Sequence, residues 1–519
     1  MSLLKSAATV SSLTLLSRIT GLVRDIVIAR FFGATALTDA FWVAFRIPNL
    51  MRRLFAEGAF SQAFIPILGE IKQTSKDEQH IRQFIDRVAL ILLAALTTIT
   101  LIGILAAPAI VWLMASGIAT AKGSGAYESA VWMTRLMFPY IICMSLVAFA
   151  SGVLNTYKRF AVPAFTPVLL NLSMIGGTYL LRNVFAEPIY ALAVGVMIGG
   201  IAQLSVQWIA LSRIRMRPRI GTPVKSAFKD PAVRRVIRQM APATLGVSVA
   251  QVSLLINTNI ATWLAPGSVS WLSFADRLME FPTALIGVAI GTVLLPTLSK
   301  AHADKNATQY SAFLDWGLRV VLFLGLPAAV CMILMADAMV ATLFQYGAFN
   351  ANDVAQTQTA VMAYSVGLIG LLMIKILAPG FYGKQDIKTP VKIAIAVLLC
   401  TQAFNLILVP WLKHAGLALS IGLGACINAA ALYIGLRKRH IYRPSSGWLL
   451  FLLRIAVALA ALAVCLGWLG SQVNWVDGSL SIFARAGWLA LTLCGGGVVY
   501  LAVLFILGLR MQDFMRKPT

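Results

Sequence analysis

Eight cations stand inside stretches that are otherwise apolar: Arg18, Arg24 and Arg30 in the first, Arg46, Arg52 and Arg53 in the second, Arg277 in the eighth and Lys375 in the tenth. A charged side chain near mid-bilayer costs at least about 2.5–3.5 kcal/mol on insertion scales. Such groups therefore face a bundle interior or a water-filled cavity and mark a substrate route. The same first, second and eighth stretches hold five acids, Asp25, Asp39, Glu57, Asp276 and Glu280, against seven arginines. Internal pairing thus accounts for part of the set and leaves a positive surplus, which predicts an anionic ligand. Arginine suits phosphate because its planar fork donates two parallel hydrogen bonds and stays protonated. Arg18 and Arg24, six residues apart, differ by about 240° around a helix, so they share one face only if the helix bends, for which Gly21 gives an opening. Asn49, Arg52, Arg53 and Glu57 lie between Pro48 and Gly58, polar groups beside expected breaks in the second helix.

Other chemistries find no residues to carry them. The six cysteines, at 143, 331, 400, 426, 465 and 494, all fall in apolar segments without metal-ligand spacing, and the histidines at 80, 302, 414 and 440 are scattered. No phosphate-binding GxxxxGK[ST] loop is present, so an ATP-driven pump is not expected. A membrane-embedded glycolipid-processing enzyme would need an acid/base pair or metal ligands near the cavity, which these isolated histidines do not supply.

The elements that position these charges are membrane helices. Of 519 residues, 59% are hydrophobic and 12% charged, with a mean hydropathy of +0.83, whereas a soluble domain carries roughly a quarter charged residues. Apolar stretches long enough to cross a hydrocarbon core of ~30 Å recur throughout. They are expected near 7–32, 40–68, 84–116, 129–155, 160–181, 189–212, 236–264, 270–298, 314–338, 356–380, 389–411, 415–436, 447–470 and 484–508, making fourteen. The net charge of +24 would suggest nucleic acid in a soluble protein, but here it lies mainly in short loops and reads as topology. Even-numbered connections and both termini are rich in Lys and Arg, with eight between Arg213 and Arg235 alone; the opposite loops hold only Lys122, Arg182 and Lys413. Cytoplasmic loops carry the excess, so both termini are expected in the cytoplasm. A cleavable signal peptide is not expected, because Arg18 and Arg24 interrupt the first apolar run.

An internal repeat organises the spans. Pro48 pairs with Pro282, Pro66 with Pro296 and Pro163 with Pro390, at offsets of 234, 230 and 227 residues and with similar flanks. The offset covers six crossings, an even number, so the two halves run in the same direction as a parallel repeat of the transporter kind. The fold class is therefore an all-α polytopic membrane protein of 14 transmembrane helices: two six-helix lobes, 1–235 and 236–440, with two extra helices in 441–519. The extra pair reads either as a groove for an apolar tail or as a stabilising appendage.

Several segments carry a resemblance: SLLKSAATVSSLTLLSRITGLVRD, DAFWVAFRIPNLMRRLFAEGAFSQAFIPIL, SVSWLSFADRLMEFP and APGFYGKQDIKTPVKIA. They resemble the MurJ (MviN) family of bacterial lipid II flippases in the MOP exporter superfamily, over essentially the whole chain. The resemblance implies a transporter, not an enzyme, that moves the undecaprenyl-pyrophosphate-linked peptidoglycan precursor across the inner membrane by alternating access of two lobes. It implies that Arg18, Arg24, Arg52 and Arg277 meet the pyrophosphate, that Asp39 is functionally sensitive, and that Asn49, Ser270 and Glu280 line the cavity. Arg53, Glu57 and Lys375 are secondary candidates. The last two helices would form the polyprenyl-tail groove; Gly495 and Gly496 are the positions at which a bulky substitution would probe it, the sequence not showing which face of the last helix lines it. Partners are lipid II and membrane lipids, no nucleic acid is implied, and a monomer is expected. No cofactor or metal is expected. Some relatives resemble sodium-coupled transporters with acids on the seventh and eleventh spans, but 236–264 and 389–411 here contain no Asp or Glu. That departure puts a Na⁺ site in doubt and leaves the membrane potential as a driving force. The alternatives within the superfamily are an O-antigen or other polysaccharide-lipid exporter and a multidrug exporter, which would lack this arginine cluster or carry an acidic cation-exchange site.

Overall fold

The structure, a computed structural model, describes all residues except 1–2, 52–59, 76, 121–124, 220, 222, 479 and 510–519. Every regular element among the described residues is helical. The chain divides into two compact units, Met1–Val269 and Ser270–Thr519. The first contains α1 (Leu3–Phe32), α2 (Ala36–Met51), α3 (Ser61–Thr74), α4 (Glu78–Leu105), α5 (Ala107–Met114), α6 (Ser116–Thr120), α7 (Ala126–Met137), α8 (Tyr140–Thr156), α9 (Ala161–Leu181), α10 (Tyr190–Arg213), α11 (Val224–Lys229) and α12 (Pro231–Thr262). The second is built from α13 (Ser268–Ala303), α14 (Ala307–Leu334), α15 (Ala336–Phe344), α16 (Ala351–Val366), α17 (Leu368–Tyr382), α18 (Lys388–Lys438), α19 (Trp448–Ser471) and α20 (Ile482–Ile506).

Helix starts are set by side chains that accept the otherwise orphaned first N–H groups. Asp77 accepts from Gln79, Asp230 from Ala232, Asn306 from Gln309 and Ser481 from Ala484. Asn350 and Asp353 form a reciprocal capping box at the start of α16. Among the described residues nine helical segments are long and apolar enough to span a membrane. One of them, α18, is two spans in series, because Lys413 takes φ 52° and ψ −128° and breaks its path. That break falls between the expected spans 389–411 and 415–436. Among the described residues four expected spans are broken internally: 84–116 at Ala106, 129–155 at Pro139, 314–338 at Met335 and 356–380 at Gly367. The charged stretches 7–32, 236–264 and 270–298 are helical as α1, α12 and α13, and 40–68 contains α2 and the start of α3, with 52–59 between them outside the described set.

Large apolar side chains cover the outside. Leu105, Leu180, Leu285, Leu406 and Phe483 are each more than three-quarters exposed, which is unfavourable in water and favourable against lipid. Between helices that share an apolar solvent, association depends on close van der Waals approach, and small residues permit it. Gly195 and Gly199 on α10 lie one turn apart in a GxxxG pattern. A Cβ built on Gly195 would stand 3.0 Å from Met174 Cα of α9, and one on Gly199 3.0 Å from Leu170 Cα. Gly177 of α9 approaches Gly195 in the same way. In the second unit Gly367 meets Gly422 backbone to backbone, and Gly370 meets Ala425.

Polar ties hold the connections outside the spans. Asp230 pairs with Arg87 while capping α12. Burial pushes its carboxyl up, but the hydrogen bonds from Arg87 and the Ala232 N–H outweigh this and hold it below the usual carboxylate range. Asp386 accepts from the Thr389 hydroxyl and N–H and pairs with Arg439; these interactions, led by the Thr389 hydroxyl, hold it at about 2. A lowered folded-state value means both ties contribute fully above the ordinary carboxylate range and are lost as pH falls, for Asp386 through about 2.

Gly195→Leu should separate α9 from α10, with a stability loss of about 1–3 kcal/mol from overpacking. Gly176→Leu, where an added Cβ meets nothing within 4 Å, should leave stability unchanged. Thermal unfolding of the two variants in one detergent provides the comparison, and equal midpoints would refute the close-packing assignment.

Candidate functional site

The sequence-marked cations of the first unit occupy unlike environments. Arg24, on α1, is 6% exposed, and all three of its donor nitrogens are engaged. Nε donates to Asp25 Oδ1 at 2.8 Å, Nη2 forms an ion pair with the same oxygen at 2.7 Å, and Nη1 donates to Asn171 Oδ1 at 3.0 Å. Asn171, on α9, is itself oriented because its Nδ2 donates to the Ser17 carbonyl and the Thr20 hydroxyl, each at 3.1 Å. A hydrogen-bonded network thus compensates a guanidinium that the bilayer would otherwise exclude. Arg18 is only half-buried, and no hydrogen bond or ion pair to it occurs among the described residues. Within one helix, then, one arginine is integrated into the protein and another makes no such bond among the described residues.

Asp39 lies in the first turn of α2 and is 5% exposed. Its Oδ2 accepts from the Gly267 N–H at 2.7 Å, in the turn between α12 and α13. Gly267 sits at φ 98°, where a side chain would be strained. Arg46 donates to the Thr258 hydroxyl of α12, and Asn49 is half-buried and engaged. Arg52, Arg53 and Glu57 lie outside the described residues.

In the second unit Ser270 is fully buried near the start of α13. One residue on, the Trp271 indole N–H donates to Asp353 at 3.0 Å and fixes this end of α13 to the capping box of α16. Two turns further, Arg277 and Glu280 form an i,i+3 ion pair at 2.6 Å, partly exposed. Lys375 on α17 is exposed, with its aliphatic stem against Gly287 of α13. Gly496 is buried between α20 and α19, where a Cβ would press on Leu462 and Leu466, so it faces a helix neighbour; a Cβ on Gly495 would meet Leu469 at 3.6 Å. Among the described residues no cluster of three His, Cys, Asp or Glu is placed to hold a metal.

Two engaged residues were missed by sequence reasoning, Asn171 and Thr258. Asn171 carried a usable signal, a lone amide in an apolar span, a position favoured for interhelical hydrogen bonding. Thr258 carried none, since an intrahelical bond to a carbonyl one turn back satisfies threonine equally well, and this one also makes that bond.

An all-helical, lipid-faced chain with partly open arginines in its spans has the features of a carrier for an anionic amphiphile. Residues 28–485 match the family model described as Lipid II flippase MurJ. The chain belongs to the MurJ family. A Burkholderia cenocepacia protein named lipid II flippase MurJ is 49% identical over 517 residues, covering 100% of both chains. A probable lipid II flippase MurJ of Vibrio cholerae is 40% identical over 98% of this chain and 97% of its own. The fold is also that of a solved MurJ in an inward closed conformation, with TM-score 0.80 and 23% identity over 98% of this chain and 99% of that one. An inward-facing MATE-family multidrug transporter of the MOP superfamily has TM-score 0.67 and 16% identity over 84% and 98%. MurJ proteins are transporters rather than catalysts.

Asn171→Leu removes the acceptor for Arg24 Nη1 and should destabilise the protein by about 1–3 kcal/mol, the range for a buried donor left unsatisfied. Asn171→Asp keeps an acceptor and should retain most of that stability. Unfolding midpoints of the two variants measure the difference, and an unperturbed Asn171→Leu protein would contradict the network.

Proposed function

We propose that this chain is a lipid II flippase, carrying the undecaprenyl-pyrophosphate-linked peptidoglycan precursor from the cytoplasmic to the periplasmic leaflet of the bacterial inner membrane. The observation that carries this reading is end-to-end similarity at 49% identity to a protein of that name. No covalent chemistry is involved.

In this reading fourteen helices form two six-helix lobes, 1–235 and 236–440, related by a parallel repeat, with 441–519 serving the lipid tail. The repeat is supported locally: Pro163 and Pro390 are each the third residue of their helices, and Pro48 and Pro282 both lie inside helices. Alternating access moves the head group, and Arg18, half-buried and open, is the best-placed ligand for its pyrophosphate. Arg277, in the second unit, binds phosphate by exchanging Glu280 for a phosphate oxygen. Arg24 acts mainly by holding α1 to α9, while Arg52, Asn49 and Ser270 line the path, with Arg53, Glu57 and Lys375 as secondary contributors. Asp39 fastens the α12–α13 turn in the conformation described here and releases it in another. The acid-free seventh and eleventh spans favour the membrane potential over a Na⁺ site, at about 2.3 kcal/mol per charge per 100 mV. The protein acts as a monomer with both termini in the cytoplasm.

Orientation is tested with single cysteines in place of exposed Asn183, Gln472 and Ser226. The first two should react with an impermeant reagent applied to intact cells and the third should not; labelling at 226 would reverse the topology. Ligand roles are tested by leaflet accessibility of lipid II in cells relying on variants at normal abundance. Arg18→Ala and Arg277→Ala should reduce translocation at least about tenfold, and the Lys variants should restore it in part, because charge returns without the fork. Full translocation by both Ala variants would sink the assignment.

A further inference from the structure

A second convergence of cations surrounds a cavity of about 910 Å³ that lies wholly in the second unit. Its walls are the first turns of α14, the linker 440–447, the first two turns of α19 and Leu509 just past α20. Four basic side chains line it, Arg319, His440, Arg443 and Arg454, against one acid, Asp315. The acid is fully committed. Its Oδ1 accepts from the Tyr442 hydroxyl at 2.7 Å, the Ser445 N–H at 3.2 Å and the Trp448 indole N–H at 2.7 Å. Its Oδ2 accepts from the Ser445 hydroxyl at 2.6 Å and Arg319 Nε at 2.9 Å. Arg319 is committed as well, donating to the Ser445 hydroxyl and the Ser446 carbonyl and lying 4.9 Å and 5.3 Å from the ring centres of Trp448 and Phe451.

The wall is therefore rigid and internally neutral, and the uncommitted charge belongs to Arg443 and Arg454. The side chain of neither makes a hydrogen bond or ion pair among the described residues. Arg443 is presented by a fixed backbone, since the Ser311 hydroxyl both accepts from its N–H at 2.8 Å and donates to its carbonyl at 3.0 Å. Arg454 stands six residues into α19, about 9 Å along the helix axis, next to the exposed Leu450 and Leu453. Gly508, at φ 80°, leaves room beside it, and a Cβ there would lie 3.8 Å from Arg454 Nη2. A guanidinium at that depth, flanked by lipid-facing leucines, lies where phosphate head groups meet acyl chains.

We propose that this cavity binds the phosphate of an anionic glycerophospholipid, with Arg443 and Arg454 as its ligands and the exposed leucines of α19 as the wall for its acyl chains. The leaflet is the cytoplasmic one in the topology proposed above. Charge selects the lipid class: a zwitterionic head would bring a second cation to a pocket whose one acid among the described residues, Asp315, is spent. The apolar flank selects a lipid over a soluble anion, which would have no use for it.

The test uses the full-length protein in detergent, with bound lipid counted by native mass spectrometry against dioleoyl phosphatidylglycerol and dioleoyl phosphatidylcholine. The wild type should retain phosphatidylglycerol preferentially, and Arg443→Gln/Arg454→Gln should lose that preference by about tenfold, as expected for two charge-assisted contacts. Arg437→Gln/Lys438→Gln, on the same face outside the cavity, should keep it. The Lys/Lys variant at 443 and 454 should retain part of it, so a fold defect in the Gln pair is distinguished from a lost ligand. The proposal is overturned if the cavity pair keeps the full preference or if both Gln pairs lose it equally. Displacement of the lipid by equimolar inorganic phosphate would show a soluble-anion site instead. Displacement by undecaprenyl diphosphate but not by phosphatidylglycerol would assign the cavity to the transported substrate.

Discussion

A guanidinium cannot rest in hydrocarbon alone, and the first unit is organised around that constraint. Arg24 reaches the interior of α1 only because Asp25 supplies a counter-charge and Asn171 a neutral acceptor from α9. Asn171 in turn needs the Ser17 carbonyl and Thr20 hydroxyl to fix which way its amide points. Five residues on two helices thus depend on one another, and the glycine contacts that bring α9 against α10 extend the same assembly. The interactions are strong because water is excluded, and for the same reason each is expensive to leave unmade.

The same physics separates two kinds of cation by what faces them. Where the protein supplies the partner, as for Arg24 with Asp25 or Arg319 with Asp315, charge is converted into structure. Where no partner is supplied among the described residues, as for Arg18 near one end of the chain and Arg443 and Arg454 near the other, the charge stays uncompensated. A carrier of a phosphorylated lipid needs both kinds, since a site made only of committed arginines would be rigid and unable to bind.

Much of this was legible in the sequence because bilayer thickness and loop charge impose coarse, redundant signals. The spans near 447–470 and 484–508 coincide with α19 and α20 to within two residues, and even the charged stretches around Arg18 and Arg277 are helical. What could not be read was pairing across helices. Nothing local distinguishes Arg24, which is enclosed, from Arg18, which is not; the difference lies in an asparagine 147 residues away. The orientation of Gly495 and Gly496 was hidden for a like reason, because α20 is apolar on every side and only its packing on α19 selects the inward face. Helix breaks were legible unevenly: the one at Lys413 falls in the connection expected between 389–411 and 415–436, whereas the one at Pro139 interrupts a stretch that reads as the single span 129–155.

The glycine seam between α9 and α10 also bears on motion. Two helices joined backbone to backbone have no side-chain layer to shear, so they behave mechanically as a single rod. Compliance has to reside elsewhere, at places where the helical hydrogen-bond ladder is already interrupted: Gly33 between α1 and α2, Pro139, Gly367 and Lys413. Stiff paired rods linked by a few soft joints convert a small rearrangement at a joint into a large displacement at the far end of a rod, which is the leverage needed to carry a bulky polar head across a membrane.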